Sequence, residues 1–416
     1  MRDAKRRIET VLRQAFPNNE IAPRHFGELL VEYAESGVGP PNLVNEIETG
    51  GERALWSFAW EAMLCRHLRT QGYEPKGTAK RTGGPDFRIE HAGRTIWIEA
   101  VVPAPEDVPA DYLEPPPAGK FRLRSKPDAE RVLRCMSVIA DKRYKVDGYL
   151  AKGIIGAADC VIIAVNICRL SDLDPDGNGI TRMPLSMEAV FPIGPLVVPI
   201  SSDGKIDGPM QNAPRFAVRK ASGEPIKTTA FLDPAFVNIS AVIQAHQKDM
   251  HERDLVLATI HNPLALNPLP TGLLGAQKEF VALAHGDDYQ LRDVRLEARL
   301  QELTESLTRR FLAREDRIVR PVTAAEAGDF VGERNKCKEN VNNWCFIREH
   351  FQHVPVRGWL ISGDCVLDKH SVVDIGGGEL VDVTPMPEDG ARLTFLPHDG
   401  NEDEFAAMPN QLILAR

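Results

Sequence analysis

Residues 83–103 read GGPDFRIEHAGRTIWIEAVVP, and this stretch decides the fold of the first half of the chain. Phe87 and Ile89 alternate with charged residues before the segment 91–94, and an apolar run at 96–98 follows it. This pattern is typical of a β-hairpin, with Gly93 free to adopt a positive φ in the turn. If Ala92 and Gly93 form a two-residue loop, residue numbers of cross-strand partners sum to 185.

That register places two acidic residues, Asp86 and Glu99, opposite each other on one face of the hairpin, with Cβ atoms about 5 Å apart. Opposed like charges are unfavourable in a sheet, but a divalent cation would reverse the sign of their interaction. Mg²⁺, or Mn²⁺ in its place, is a hard ion that carboxylate oxygens commonly bind together with substrate phosphates. The hairpin alone leaves open a surface ribbon with two solvated acids.

Composition limits the classes of protein to consider. With 416 residues and 43% hydrophobic residues, the chain is long and apolar enough for two or three packed domains. No apolar run reaches membrane-spanning length, and no apolar signal core follows the charged N-terminus. Seven cysteines without framework spacing indicate reduced thiols and a cytoplasmic location. A net charge of −9 argues against a wholly basic surface without excluding nucleic acid.

Helical periodicity precedes the hairpin over residues 3–16, 24–36 and 52–70. Glu61 lies within the apolar stretch of the third predicted helix. A carboxylate beside a buried face is unusual unless it is paired or binds a metal, although a surface glutamate remains the alternative.

After the hairpin, the pattern predicts a long helix at 128–150 and a buried strand at 160–168. Hairpin, helix and buried strand together predict an α/β fold in which helices flank a mixed sheet. Two sets of basic residues could contact phosphates: Lys120, Arg122, Arg124 and Lys126 before this helix, and Arg143 and Lys145 within it.

Three acids occur in a characteristic order: Glu61 on a helix, Asp86 in the pair Pro85-Asp86, and Glu99 on the next strand. Over roughly residues 50–170, this order resembles the PD-(D/E)xK, or restriction-endonuclease-like, nuclease superfamily. The resemblance implies a restriction-endonuclease-like sheet and hydrolysis of phosphodiester bonds by a metal-dependent nuclease, with DNA a better expectation than RNA. It implies that Glu61, Asp86 and Glu99 bind Mg²⁺. A bacterial defence or mobile-element setting would fit.

One position departs from the family pattern, because Val101 stands where the catalytic lysine belongs. Some family members carry this lysine on the following helix, which makes Lys142 the candidate. If no cation reaches the acids, the fold is an inactive scaffold or a nucleic-acid-binding module.

The domain boundaries predicted from sequence are 1–290 for a nuclease-like domain with a strand-rich extension at 186–290, 291–330 for a helical connector, and 331–416 for a C-terminal α+β domain. In this last domain, residues 333–350 predict a helix with Asn335 as N-cap, followed by strands at 354–362, 366–374 and 379–384. Cys337 then falls in the first helical turn, where the helix dipole lowers the pKa of a thiol.

A turn centred on Gly377 makes partner numbers of the last two strands sum to 754. His370 then opposes Thr384, with Asp382 as its diagonal neighbour. The order of Cys337, His370 and Asp382 resembles that of papain-like and transglutaminase-like thiol enzymes, which implies nucleophile, base and orienting acid.

Several alternatives stay open. The cysteine and histidine could be structural, or Cys337, His370 and His398 could bind a metal. The chain could act as a thiol hydrolase or acyl transferase with the first domain for recognition, or as a binding protein without enzymatic activity. The expected partners are nucleic acid and not a membrane, and the sequence leaves a homodimer or a partner protein open.

Overall fold

A computed structural model describes residues 2–16, 21–78, 83–114, 119–120, 125–170, 178–206, 210–247, 255–285, 288–348, 351–363, 365–385 and 393–414. The chain divides into two compact units, Met1–Val294 and Arg295–Arg416. The helical connector predicted at 291–330 falls largely within the second unit. No helix in the described part of the chain is both long and apolar enough to cross a membrane.

The first unit is a mixed α/β structure built on one large sheet. Its helices are α1 (Arg2–Ala15), α2 (Ile21–Glu35), α3 (Leu43–Thr70), α4 (Ala110–Leu113), α5 (Asp128–Ala151) and α6 (Leu185–Val190). Its strands are β1 (Lys76–Gly77), β2 (Phe87–His91), β3 (Arg94–Val101), β4 (Cys160–Asn166), β5 (Ile193–Val197), β6 (Gln211–Pro214), β7 (Ala217–Arg219), β8 (Pro225–Lys227), β9 (Ala241–Ala245), β10 (Leu257–His261), β11 (Lys278–His285) and β12 (Asp288–Asp293).

Eight of these strands form one sheet in the order β1-β2-β3-β4-β9-β10-β11-β12. Strands β3, β4 and β9 are parallel to one another, and β2 pairs antiparallel with β3 on the other side of it. Within the predicted strand-rich extension at 186–290, strands β9–β11 continue the main sheet, and β12 follows them at its edge. Two small hairpins, β5–β6 and β7–β8, lie outside it.

The β2–β3 hairpin has the register predicted from its turn. Phe87 pairs with Ile98 and His91 pairs with Arg94, so partner numbers sum to 185. Ala92 and Gly93 have φ values of 48° and 77°, as a two-residue primed turn requires.

Helices cover both faces of the sheet. Alternate residues of β4 enter different cores: Ile162 packs with apolar residues of α1–α3, whereas Ile163 packs with those of α5 and α6. The Trp60 indole N–H donates to the Ala164 carbonyl at 3.0 Å, which ties α3 to the middle of the sheet. Helix α3 is longer than predicted and bends at Gly51, where φ is 59°.

The second unit is a small barrel-like β structure with helices. Its helices are α7 (Val294–Leu312), α8 (Ala324–Ala327), α9 (Cys337–Ile347) and α10 (Glu402–Ala407). Its strands are β13 (Arg317–Pro321), β14 (Val354–Ile361), β15 (Val366–Asp374), β16 (Leu380–Asp382), β17 (Leu393–Pro397) and β18 (Gln411–Ile413). The sheet order β14-β17-β13-β16-β15 closes through a β14–β15 pairing.

The β15–β16 hairpin also has the predicted register, with Val373 opposite Val381 and Asp374 opposite Leu380. The predicted start of the preceding helix was wrong. Helix α9 begins at Cys337 with Lys336 as its N-cap, and Asn335 precedes it with φ of 60°. Asn335 is thus part of the turn that leads into the helix.

Candidate functional site

The first unit brings four candidate residues together at one edge of the hairpin. Glu61 comes from α3, Asp86 directly precedes β2, Glu99 lies in β3, and Lys142 comes from α5. The acid cluster, defined here as Glu61, Asp86 and Glu99, is therefore supplied by the local hairpin and by a helix packed against the same sheet.

Hydrogen bonds hold the hairpin acids in place. Asp86 Oδ2 accepts a hydrogen bond from the Ala100 backbone N–H at 2.7 Å. Glu99 is buried, and its Oε1 lies 2.6 Å from the Lys142 ammonium nitrogen. The more exposed Lys145 places its own ammonium nitrogen 3.7 Å from the same oxygen.

The acids repel one another in a low-dielectric setting. Burial, and then the charge of Glu99, raises the pKa of Asp86 to about 7. Burial, and then the charge of Asp86, raises the pKa of Glu61 well above its usual range. Burial would lower the pKa of Lys142, but Glu99 and Asp86 outweigh it, so the net direction is upward. Lys142 is therefore a cation at neutral pH.

Sequence reasoning missed Tyr33. Its hydroxyl donates to Glu61 Oε2 at 3.0 Å, and burial followed by the nearby Glu61 charge raises the Tyr33 pKa. Tyr33 lies in the predicted helix 24–36, but the packing of α2 on α3 that joins it to Glu61 leaves no signal in local sequence.

The acid cluster has an incomplete set of partners. Glu99 Oε2 is buried and accepts no hydrogen bond. Among the described residues, no three or more histidine, cysteine, aspartate or glutamate side chains converge closely enough to hold a metal as they stand. Mg²⁺ is nevertheless commonly bound by only one or two carboxylates, with water and substrate phosphates completing the shell. An unpartnered carboxylate oxygen beside a second acid fits such an ion.

The other basic candidates differ in their surroundings. Arg143 donates to the Ala235 carbonyl at 2.8 Å, and Lys126 donates to the Asn178 carbonyl at 2.7 Å, so both already have internal partners. Lys120 is exposed. Arg122 and Arg124 lie outside the described residues. Of the four that lie within the described residues, Lys145 is the one placed beside the acid cluster.

The second unit joins Cys337, His370 and Asp382. His370 Nε2 lies 2.8 Å from Asp382 Oδ2, and both side chains are buried. Cys337, the first residue of α9, hydrogen bonds through its thiol with His370. His398 is not part of this group, because its ring packs on Phe405 instead. The alternative metal site with His398 is therefore not assembled.

No protein-family model, no curated protein and no solved structure matches this chain. The geometry of the two clusters is therefore the basis for any functional assignment.

Proposed function

We propose that the first unit is a divalent-metal-dependent nuclease of the restriction-endonuclease-like type. The observation that carries the proposal is the Lys142–Glu99 contact at the acid cluster. Val101 occupies the position at which the family carries its lysine, and its side chain has no charge. Lys142, from a helix after the hairpin, contacts Glu99 instead.

The order of elements supports the same assignment. Helix α3 carries the first acid, the β2–β3 hairpin carries the next two, and α5 leads to β4, which is parallel to β3. Apart from the short β1 and α4, this is the αββαβ arrangement that the resemblance to PD-(D/E)xK nucleases implies. The eight-stranded width of the sheet goes beyond that expectation.

Asp86 and Glu99 would hold the metal, and Glu61, whose carboxyl interacts electrostatically with both acids, would orient its shell. When bound, the ion supplies activation of water and neutralisation of charge on a phosphodiester. The protein residues have separate tasks. Lys142 stabilises negative charge that develops on the phosphate, and the exposed Lys145 is placed to bind a backbone phosphate. Tyr33 orients the Glu61 carboxyl through its hydrogen bond.

Double-stranded DNA is the first substrate to test, with single-stranded DNA and RNA as further arms. We expect the full-length chain to cleave nucleic acid with Mg²⁺ or Mn²⁺ and not with EDTA. Asp86→Asn, Glu99→Gln and Lys142→Met should each reduce the rate at least about 100-fold. Asp141→Asn is the matched control, because Asp141 is exposed and adjacent to Lys142 on α5.

A second readout separates metal binding from chemistry. Mn²⁺ binding, followed by electron paramagnetic resonance, should weaken in Asp86→Asn and Glu99→Gln but persist in Lys142→Met. Cleavage that survives both acid substitutions would refute the proposal. Nucleic-acid binding without cleavage in any metal would favour a recognition module instead.

A further inference from the structure

We propose that the second unit contains its own catalytic site, a thiol-dependent acyl hydrolase that uses Cys337 as nucleophile and His370 as base. Its substrate class is a carbonyl compound with an amide or ester bond. This proposal is independent of the nuclease, because all residues involved belong to residues 295–416.

The histidine is held in one orientation and one protonation pattern. Asp382 Oδ2 lies 2.8 Å from His370 Nε2. Because a carboxylate only accepts, Nε2 carries a proton and donates a hydrogen bond to it. Asp382 Oδ1 accepts the Thr384 backbone N–H at 2.8 Å, which fixes the carboxylate. His370 Nδ1 is then left for the Cys337 thiol. This is the division of roles that nucleophile, base and orienting acid require.

The thiol is placed for reaction instead of being enclosed in a core. Cys337 is half-buried at the first turn of an 11-residue helix, where backbone N–H groups favour an anion. The Ser371 backbone N–H also points to its sulfur. By comparison, Cys65, Cys135, Cys160 and Cys168 are buried in the first unit.

Electrostatics favours an ion pair between the two reactive groups. Burial would lower the pKa of His370, but hydrogen bonds with Asp382 and Cys337 raise it to about 9. Burial would raise the pKa of Cys337, but the hydrogen bond and charge of His370 together with hydrogen bonds from Ser371 outweigh it, so the pKa lies below the usual value. Both directions favour the thiolate–imidazolium pair over the neutral thiol and imidazole.

Buried Asn340 connects the parts of the site. Its side-chain oxygen accepts the Glu333 N–H at 2.9 Å, and its amide donates to the Glu333 carbonyl at 2.7 Å. The same amide donates to Thr384 Oγ1 at 3.3 Å. The loop before Cys337 is thereby tied to the strand end after Asp382.

The reaction balances with water as the only co-reactant. The Cys337 thiolate attacks the carbonyl carbon, and the bond to the leaving nitrogen or oxygen breaks as His370 donates its proton to that atom. A thioester on Cys337 results. His370 then removes a proton from water, the hydroxide attacks the thioester, and the acid product leaves with the thiolate restored.

Alkylation by iodoacetamide in the full-length protein tests the activated thiol. Cys345 is the matched control, since it lies on the same helix, is also half-buried, and has a pKa raised by burial. At pH 6, Cys337 should react at least about tenfold faster than Cys345. In His370→Gln this advantage should disappear. Equal rates and equal pH profiles for the two thiols would overturn the proposal.

Acyl transfer is tested with p-nitrophenyl acetate. We expect a burst of nitrophenolate and an acetyl group on Cys337 by mass spectrometry, both absent in Cys337→Ser and retained in Cys345→Ser. Asp382 is a positioning residue, so Asp382→Asn should move the alkaline limb of the pH–rate profile to lower pH. Acetylation without preference for Cys337 would contradict the proposal, as would a profile unchanged by Asp382→Asn.

Discussion

The molecule has two groups of ionisable side chains, the acid cluster of the first unit and the Cys337–His370–Asp382 group of the second. They lie at similar depth, but their electrostatic balance is opposite. In the first, like charges meet and Glu99 Oε2 accepts no hydrogen bond. In the second, the acid, the base and the thiol are each paired. This difference is the basis of our proposal that a metal cation completes the acid cluster, whereas the thiol group has its partners within the chain.

The largest effect should come from breaking the paired group. Asp382→Asn removes the charge that His370 binds and should lower the local free energy of unfolding by about 3 kcal/mol at pH 6. Because the His370 pKa is raised from 6.5 to about 9, this stabilisation is full below about pH 6.5 and is lost as the pH rises through 9. Hydrogen exchange of peptides covering β15 measures it.

Asp368→Asn provides the control on the same strand, because the Asp368 carboxylate is half-buried and bonds only to the Gln411 side chain among the contacts described. Its effect should stay within about 0.5 kcal/mol. If the two variants lose equal stability, or if the Asp382→Asn effect persists above pH 10, the pairing of His370 with Asp382 is not the source of the stabilisation.

The acid cluster should respond with the opposite sign. Asp86→Asn removes a repelled charge and should stabilise the metal-free first unit by about 2 kcal/mol at pH 8 after allowance for solvent screening. Unfolded Asp86 ionises near 3.8 and folded Asp86 near 7. The folded state therefore holds an extra proton between these values, so wild-type stability falls as the pH rises from about 4 to 7.

The gain from Asp86→Asn should accordingly vanish near pH 4. Hydrogen exchange of peptides covering β3 provides the measurement, and Glu90→Gln, an exposed acid on the same hairpin, provides the control. Saturating Mg²⁺ should stabilise the wild type and not the variant. Destabilisation by Asp86→Asn at pH 8 would mean that the carboxylate is a structural hydrogen-bond acceptor.

The smallest effect concerns the third acid. Tyr33→Phe removes the hydrogen bond to Glu61 and should cost about 1 kcal/mol of stability. It should also raise the pKa of Glu61 further, since the tyrosine hydroxyl stabilises the carboxylate. The pH at which Mn²⁺ binding is half-maximal should therefore move upward. An unchanged midpoint would remove Glu61 from the metal site.

The features that sequence predicted well depend on short-range geometry. A two-residue turn at Ala92 and Gly93 fixed the register of β2 and β3, and a glycine turn did the same for β15 and β16. Both candidate groups use these hairpins, which is why Asp86, Glu99, His370 and Asp382 could be singled out from spacing.

Long-range packing escaped prediction. Strands β9–β12 join the main sheet by pairing between segments that are far apart in the sequence. Local periodicity does not reveal which strands pair in this way or in which register. The role of Tyr33 depends on how α2 packs on α3. Asn335 failed as an N-cap because its backbone takes a positive φ one residue before the cap, a turn conformation that residue preference alone does not reveal.

A crystal of the full-length protein soaked in MnCl₂ tests the central claim most directly. The anomalous signal of manganese distinguishes the ion from a bound water molecule. We predict a peak within coordination distance of Glu99 Oε2 and an Asp86 carboxylate oxygen, absent from Asp86→Asn crystals treated alike. Manganese bound elsewhere, with the acid cluster empty at saturating concentration, would contradict the account.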